Sequence, residues 1–378
     1  MELKRVRFLV LTVALLEDVT VVSQTAEAVA HEHEPKTARE RVCDSPTGNR
    51  LRIGCSGEAL PAPVSVIIPA RNAASTIAAT LRSLVPDGNL IREIVLVDDG
   101  SIDDTAAVAS AVAHELDLPL IMLRAEFCSS GAARNLGIRR AQGDFIYFLD
   151  ADDEVLPGGL RLLVQCLTRD DGVDLAVGGH LVRVSGAPDK FRSPVGCRSE
   201  HRANVRNYLT NRLGPIPMGS ALVTRRAAGM ASFPETVVYD EDTLFWATVL
   251  LRADVRTEPH RIFVYNRDQE RMTRRFTSAP RRQYLQASRE LDRLAKAGAD
   301  EGALRWRKGW IAGGTARALV RRGDFVAAIE FLRAAVASHP RIRWSARTLR
   351  CFIRIRIGMS AQRFVLWKSR RLSEARAG

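Results

Sequence analysis

Sulfur-based metal chemistry is the first thing this sequence lacks. Its six cysteines, Cys43, Cys55, Cys128, Cys166, Cys197 and Cys351, are scattered, with no C-x-x-C pair and no cysteine and histidine spacing that fits zinc. A reducing compartment and no structural zinc are expected. Long apolar runs are missing too. Nowhere does an uninterrupted one approach the ~18 residues of a membrane span. The run Phe8 to Leu16, behind Lys4, Arg5 and Arg7, resembles the start of a secretory signal, but Glu17 and Asp18 break it early. The expected location is therefore cytoplasmic, with peripheral attachment to the inner face of the cell membrane as a further expectation. Acidic residues are in deficit, 43 against 56 lysines and arginines, for a net charge of +13. That surplus suits polyanions, anionic lipid surfaces or phosphorylated substrates alike. No recognition motif accompanies it, so nucleic acid is not an expected partner.

What is present is a chain of 378 residues, 46% hydrophobic, able to bury a substantial core. Residues 17–60 mix Glu, His, Pro, Ser, Thr and Gly without sustained periodicity, and 1–60 reads as an N-terminal extension. After Pro61 and Pro63 the pattern becomes regular. Val64 to Ile68 is a β-branched run, Ala73 to Leu84 has helical spacing, and Glu93 to Val97 is another buried-type strand. The order repeats through a helix over 105–116, a strand over 120–123, a helix over 132–141 and a strand over 145–149. This alternation predicts βαβ units, right-handed crossovers and a mostly parallel sheet. Apolar runs at 175–177, 221–223 and 262–264 continue the same α/β domain, placed at 61–278. Residues 279–378 turn helical and basic. Within them, 317–340 reads as an ordinary helix hairpin with Gly323 and Asp324 at the turn, since one tetratricopeptide-type unit does not make a solenoid.

Three acidic clusters fall where a strand or helix ends: Asp98-Asp99, Asp150-Ala151-Asp152-Asp153 and Asp240-Glu241-Asp242. Each has an ordinary explanation alone, as a turn with a helix cap, a polar loop, or negative charge at a helix N-terminus. Together they say more. In an open parallel sheet, ligands bind beyond the carboxyl ends of the strands, so the first two clusters converge on one crevice. Crowded carboxylates repel, and a hard divalent cation such as Mg²⁺ or Mn²⁺ relieves this through oxygen ligands.

Val64-Ser-Val-Ile-Ile-Pro-Ala-Arg-Asn72, Val97-Asp-Asp-Gly-Ser101, Gly131-Ala-Ala-Arg-Asn-Leu-Gly137 and Phe148-Leu-Asp-Ala-Asp-Asp153 resemble, in order and spacing, the family 2 inverting glycosyltransferases. The resemblance covers about 61–275. It implies the GT-A fold, a nucleotide-sugar donor, most often linked to UDP, and Mg²⁺ or Mn²⁺ as cofactor. By the same resemblance, Pro69, Ala70, Arg71 and Asn72 form the loop around the base, with Arg71 where the family often has tyrosine; a guanidinium plane still stacks on uracil. Asp99 accepts from the base's ring N–H, and Arg134 lies beside the nucleotide. Asp152 is the expected metal ligand and Asp150 serves the ribose or the metal's outer ligands, while Asp153 could exchange roles with Asp152. Glu241-Asp242 matches the family's acidic dipeptide, making Asp242 the candidate general base. Tyr265 to Thr273 resembles a closing loop near the diphosphate, with Arg271 where serine is usual.

Such a site transfers a sugar to an acceptor hydroxyl, glycan or lipid-linked, in the manner of surface or exopolysaccharide synthesis. A nucleotidyltransferase on a related fold, a basic nucleic-acid-binding protein and an inactive scaffold are the competing readings. The basic segment Arg341 to Arg371, which interleaves arginines with Trp344, Phe352, Ile353, Phe364 and Trp367, adds the expectation of an anionic membrane surface as partner, against packing onto the catalytic domain.

Overall fold

The computed structural model describes residues 63–169, 172–194, 196–197, 200–237, 240–267, 279–338 and 348–360. The extension over 1–60, Arg271, and Trp344, Phe364 and Trp367 lie outside the described residues. All described residues belong to one compact unit.

The first half is the predicted alternation: β1 (Val64–Ala70), α1 (Ile77–Leu84), β2 (Ile91–Asp99), α2 (Thr105–Glu115), β3 (Leu120–Ala125), α3 (Ser130–Arg140) and β4 (Phe145–Phe148). Both faces of β1 and β2 are covered, which is why they read as near-continuous apolar runs rather than as alternating strands. β1 pairs in parallel with β2 and β4, and β3 adds in parallel to β2. On α1, Ile77, Leu81 and Leu84 supply the buried stripe at helical spacing.

The second half is β5 (Glu154–Val155), α4 (Gly159–Thr168), β6 (Val173–Arg183), β7 (Lys190–Arg192), α5 (His201–Leu209), β8 (Ala221–Thr224), the short α6 (Arg225–Gly229), α7 (Glu241–Leu250) and β9 (Asp254–Asn266). One nine-stranded sheet runs β3-β2-β1-β4-β8-β6-β9-β5, with β7 on the side of β6. Here the sheet becomes mixed: β8 is antiparallel to β4 and β6, β5 to β9 and β7 to β6, while β6 and β9 pair in parallel. Only 262–264 of β9 is legible as a strand from sequence. Its polar first part carries Pro259, which cannot donate to a ladder, and the register with β6 shifts between Gly178 and Gly179 opposite it.

Four helices follow: α8 (Pro280–Lys296), α9 (Glu301–Arg321), α10 (Phe325–Ser338) and α11, covering 348–360. α9 and α10 form the expected hairpin about Gly323, which has a φ of +77°. Leu291, Leu294, Leu304 and Ile311 of α8 and α9 share a core with Val205 and Leu209 of α5 and with Phe245 and Trp246 of α7. The helical region and the acidic end of α7 are thus packed as one body.

Candidate active site

The site forms where β1, β2 and β4 end and the helix carrying Glu241 and Asp242 begins. Asn72, in the left-handed region at φ 50°, stitches the loop after β1 to the loop after β2. Its backbone N–H donates to Ser101 Oγ at 3.0 Å, and its side-chain oxygen accepts from Ile102 N–H at 2.9 Å. Asp103 accepts from Ala74 N–H and from Thr105 N–H, so it ties the two loops besides supporting the start of α2.

Asp99, 4% exposed, accepts three backbone N–H groups: Phe127 at 2.6 Å and Cys128 at 2.9 Å on Oδ1, and Ser129 at 2.7 Å on Oδ2. Cys128 adopts a φ of 55° to turn its N–H inward. Sequence reasoning missed this job. Asp99 fixes the loop that launches α3, and a base N–H would be a fourth donor on a carboxylate with about four acceptor positions.

α3 explains the Gly-Ala-Ala-Arg-Asn motif. A Cβ on Gly131 would meet Phe233 Cβ and the Pro234 carbonyl oxygen, each at 3.1 Å, and one on Gly137 would meet Ile67 Cγ2 at 2.4 Å. Those glycines let α3 lie close to the 233–234 segment and to β1. Asn135 holds that segment from both sides, donating to the Phe233 carbonyl and accepting from Phe233 N–H. Ser130 Oγ donates to Glu241 Oε1 at 2.9 Å.

Arg134, one residue before Asn135, is 3% exposed. Its Nη2 donates to Asp150 Oδ1 at 2.7 Å and its Nη1 to Asp242 Oδ1 at 2.9 Å, with Glu241 Oε1 at 3.7 Å. The guanidinium lies 5.2 Å from the centroid of Phe233, which stacks on Phe245. Burial alone would lower its pKa, but Asp242, Asp150 and Glu241 outweigh burial and raise it, so the cation is permanent. One buried arginine therefore joins the loop after β4 to the helix beginning at Glu241.

The other acidic residues separate by environment. Burial, then the charge of Asp242, raise Glu241 to about 8 against the pull of Arg134. Asp242 keeps 39% of its side chain exposed. Burial, then Asp150 and Asp152, push Asp153 well above the carboxylate range; its Oδ1 accepts Asn266 N–H at 2.8 Å. Asp152 is half-buried, and its backbone carbonyl accepts from Asn266 Nδ2 at 2.8 Å. Asp153 is thus locked against β9, and Asp152 is the more accessible of the two.

Asp240 plays a part that sequence reasoning did not foresee. At φ 79° it precedes α7, and its carboxylate is gripped by Arg307 of α9, through Nε at 2.8 Å and through Nη2. Arg307 also donates to Asn211 Oδ1 and to Thr243 Oγ1, each at 3.0 Å. Nothing near Arg307 in sequence signals this, because its partners lie 64 to 96 positions away.

A cavity of about 620 Å³ opens beside these groups. Asp150, Asp153, Asp242 and Tyr265 line one side, and residues 192–194 and 213–218 another. Burial first, then Asp150, Asp153 and Asp242, push the Tyr265 hydroxyl up to about 12. His180 also lines the cavity, pushed down to about 4 by burial and by Arg192, and is neutral at pH 7.

The donor set of the 150–154 turn is all oxygen, and Asp150, Asp152 and Glu154 each raise the proton affinity of Asp153, as expected where a hard cation would relieve repulsion. Among the described residues no three Asp, Glu, His or Cys side chains are gathered to hold an ion unaided. The arrangement fits an ion shared between one carboxylate and a diphosphate.

Fold and site together define an α/β domain of GT-A type, with a carboxylate-rich strand end facing an open cavity. Residues 65–228 match the model of glycosyl transferase family 2. It is 31% identical over 193 residues to the amylovoran biosynthesis glycosyltransferase AmsB of Erwinia amylovora, covering 47% of this chain and 60% of AmsB. It is 27% identical over 189 residues to WfgD of Escherichia coli, the UDP-Glc:alpha-D-GlcNAc-diphosphoundecaprenol beta-1,3-glucosyltransferase, covering 50% of this chain and 69% of that one. It spans only 31% to 47% of the length of three further curated relatives. S. aureus TarS 1-349 in complex with UDP-GlcNAc superimposes with a TM-score of 0.53 at 19% identity, over 72% of this chain and 81% of that one. That likeness establishes the fold.

Proposed function

We propose that the chain transfers a sugar from a UDP-linked donor to an acceptor hydroxyl, with inversion at the anomeric carbon and the help of Mg²⁺ or Mn²⁺. The observation that carries the reading is Arg134, which binds Asp150 and Asp242 through different nitrogens and so places a donor-side and an acceptor-side carboxylate on one buried cation. The names of AmsB and WfgD, and the UDP-GlcNAc bound by TarS, support the same chemistry.

On this reading the loop over Pro69, Ala70, Arg71 and Asn72 encloses the base, Arg71 stacking from its exposed position. Asp99 offers its remaining acceptor position to the ring N–H, and Asp150 faces the ribose. Asp152 would hold the metal, which when bound offsets negative charge on the departing diphosphate. Asp242 takes the proton from the acceptor hydroxyl as that oxygen bonds to the anomeric carbon, and Arg134 holds the Asp242 carboxylate in place. Protonated Glu241 leaves Asp242 without a second negative charge beside it. The cavity lined by residues 192–194 and 213–218 receives the acceptor, a glycan or lipid-linked glycan in surface polysaccharide synthesis. No helix among the described residues is long and apolar enough to cross a membrane.

The test is a panel of nucleotide sugars presented to the purified full chain with Mn²⁺ or Mg²⁺, reading nucleoside diphosphate release. UDP release from one sugar, stimulated by glycan acceptors, is the expected result. Pyrophosphate release would instead make the enzyme a nucleotidyltransferase, and no release from any donor would remove the transferase reading.

A further inference from the structure

α11 has two different long faces. Thr348, Cys351 and Ile355 are buried, the last two in a small core with Ala316 and Leu319 of α9 and Ala327 and Leu332 of α10. On the opposite side Leu349, Ile353 and Ile357 are 48%, 40% and 64% exposed. Their spacing of four places them in one stripe along the helix. In sequence, Ile353, Ile355 and Ile357 alternate and suggest no helical stripe. The structure divides them, putting Ile355 inward and its two neighbours outward. By helical rotation of about 100° per residue, Arg350 and Arg354 flank the stripe on one side and Arg356 on the other.

Arg350 and Arg354 also face a cavity of about 250 Å³ between α9 and α11, whose other lining residues are Arg317, Val320, Arg321 and Cys351. Four guanidinium groups line one small space. Burial raises the Cys351 thiol, while Arg317, Arg354 and Arg321 each pull it down. A guanidinium cluster of this kind matches the charge and the paired oxygens of a phosphate group.

The geometry points to a docking face for an anionic lipid surface: a headgroup phosphate enters the cavity of Arg317, Arg321, Arg350 and Arg354, and Leu349, Ile353 and Ile357 sink into the interfacial layer. A soluble phosphate would use the cavity but leaves the apolar stripe in water. The lipid surface is the occupant that uses both, with charge complementarity at the arginines and apolar burial beside them. The inference is independent of the transferase chemistry, because none of these residues belongs to the cavity beside Asp242.

The experiment is flotation of the full chain, without donor or acceptor, with vesicles of phosphatidylcholine alone and of phosphatidylcholine mixed with phosphatidylglycerol. The chain should float with the mixed vesicles only, and less as salt rises from about 0.1 M to about 0.5 M, where screening shortens the reach of the arginines. Arg321→Ala with Arg354→Ala should weaken binding about tenfold or more. Ile353→Ser with Ile357→Ser should weaken it too, with unchanged thermal unfolding because both side chains are exposed. No flotation of the wild type, or equal flotation of wild type and both double variants, overturns the proposal. So does inorganic phosphate binding without flotation, which would make the cavity a site for a soluble anion. A self-associated chain that fails to float and is dispersed by the isoleucine substitutions would assign the stripe to a second copy.

Discussion

The half of the site on β1 to β4 and the half on α7 are built in opposite ways. In the first, each functional group lies within a few residues of a strand end, and its supports are mostly the backbone of the next loop, as with Asn72, Asp99 and Asp103. In the second, Asp242 owes its position to groups far along the chain: Arg134 on α3, 108 positions away, for its charge, and Arg307 on α9 for the turn at Asp240 from which its helix starts. On the proposed reading, donor-side geometry is thus a local property, and acceptor-side geometry is a property of the whole packed unit, helical region included.

The sharpest way to break this contrast is at the donor side. Chelation with excess EDTA should abolish turnover, and added Mn²⁺ or Mg²⁺ should restore it, because the 150–154 carboxylates and a diphosphate otherwise repel. Full activity in EDTA would take the metal out of the account.

At the acceptor side, Arg307→Ala leaves Asp240 buried without its cation and should cost about 3–5 kcal/mol of stability, read by denaturant unfolding. Arg307→Lys retains charge without the fork. It should fold, and lower kcat more than it raises the donor KM, since the helix bearing Asp242 loses its fixed start. A lysine variant with wild-type kcat would show that α9 supports the fold without positioning the chemistry.

A smaller effect comes from Glu241. Its folded-state pKa is raised to about 8 from an ordinary value of 4.5. Between those values the unfolded chain gives up a proton that the folded chain keeps, so this group's contribution to stability falls as pH rises through the window. The slope is at most about 1.4 kcal/mol per pH unit. Glu241→Gln should flatten the pH dependence of unfolding over that range, and an unchanged profile would mean that Glu241 is ionised at neutral pH.

The same contrast explains what was legible in the sequence. Strands β1, β2 and β4 and the glycines of α3 are written in runs and motifs because their determinants are local: apolar residues covered on both faces, a tight turn, a close helix approach. The acidic clusters were visible, but not their division of labour. Asp99 proved to hold a loop, Asp240 proved to be a clamp, and Asp153 is locked to β9. Arg307, Phe233 and the early part of β9 gave no signal, because contacts made across 60 or more positions leave no periodicity, and Pro259 with its polar neighbours hides a strand.

The most direct test compares two variants side by side for UDP-sugar affinity, by calorimetric titration with metal, and for turnover. Asp152→Asn should lose donor affinity together with activity. Asp242→Asn should bind the donor as the wild type does while turnover falls by about 10² to 10⁴. If Asp242→Asn loses donor affinity as steeply as Asp152→Asn, or turns over at the wild-type rate, Asp242 is not the base and the division of the site into donor and acceptor halves fails.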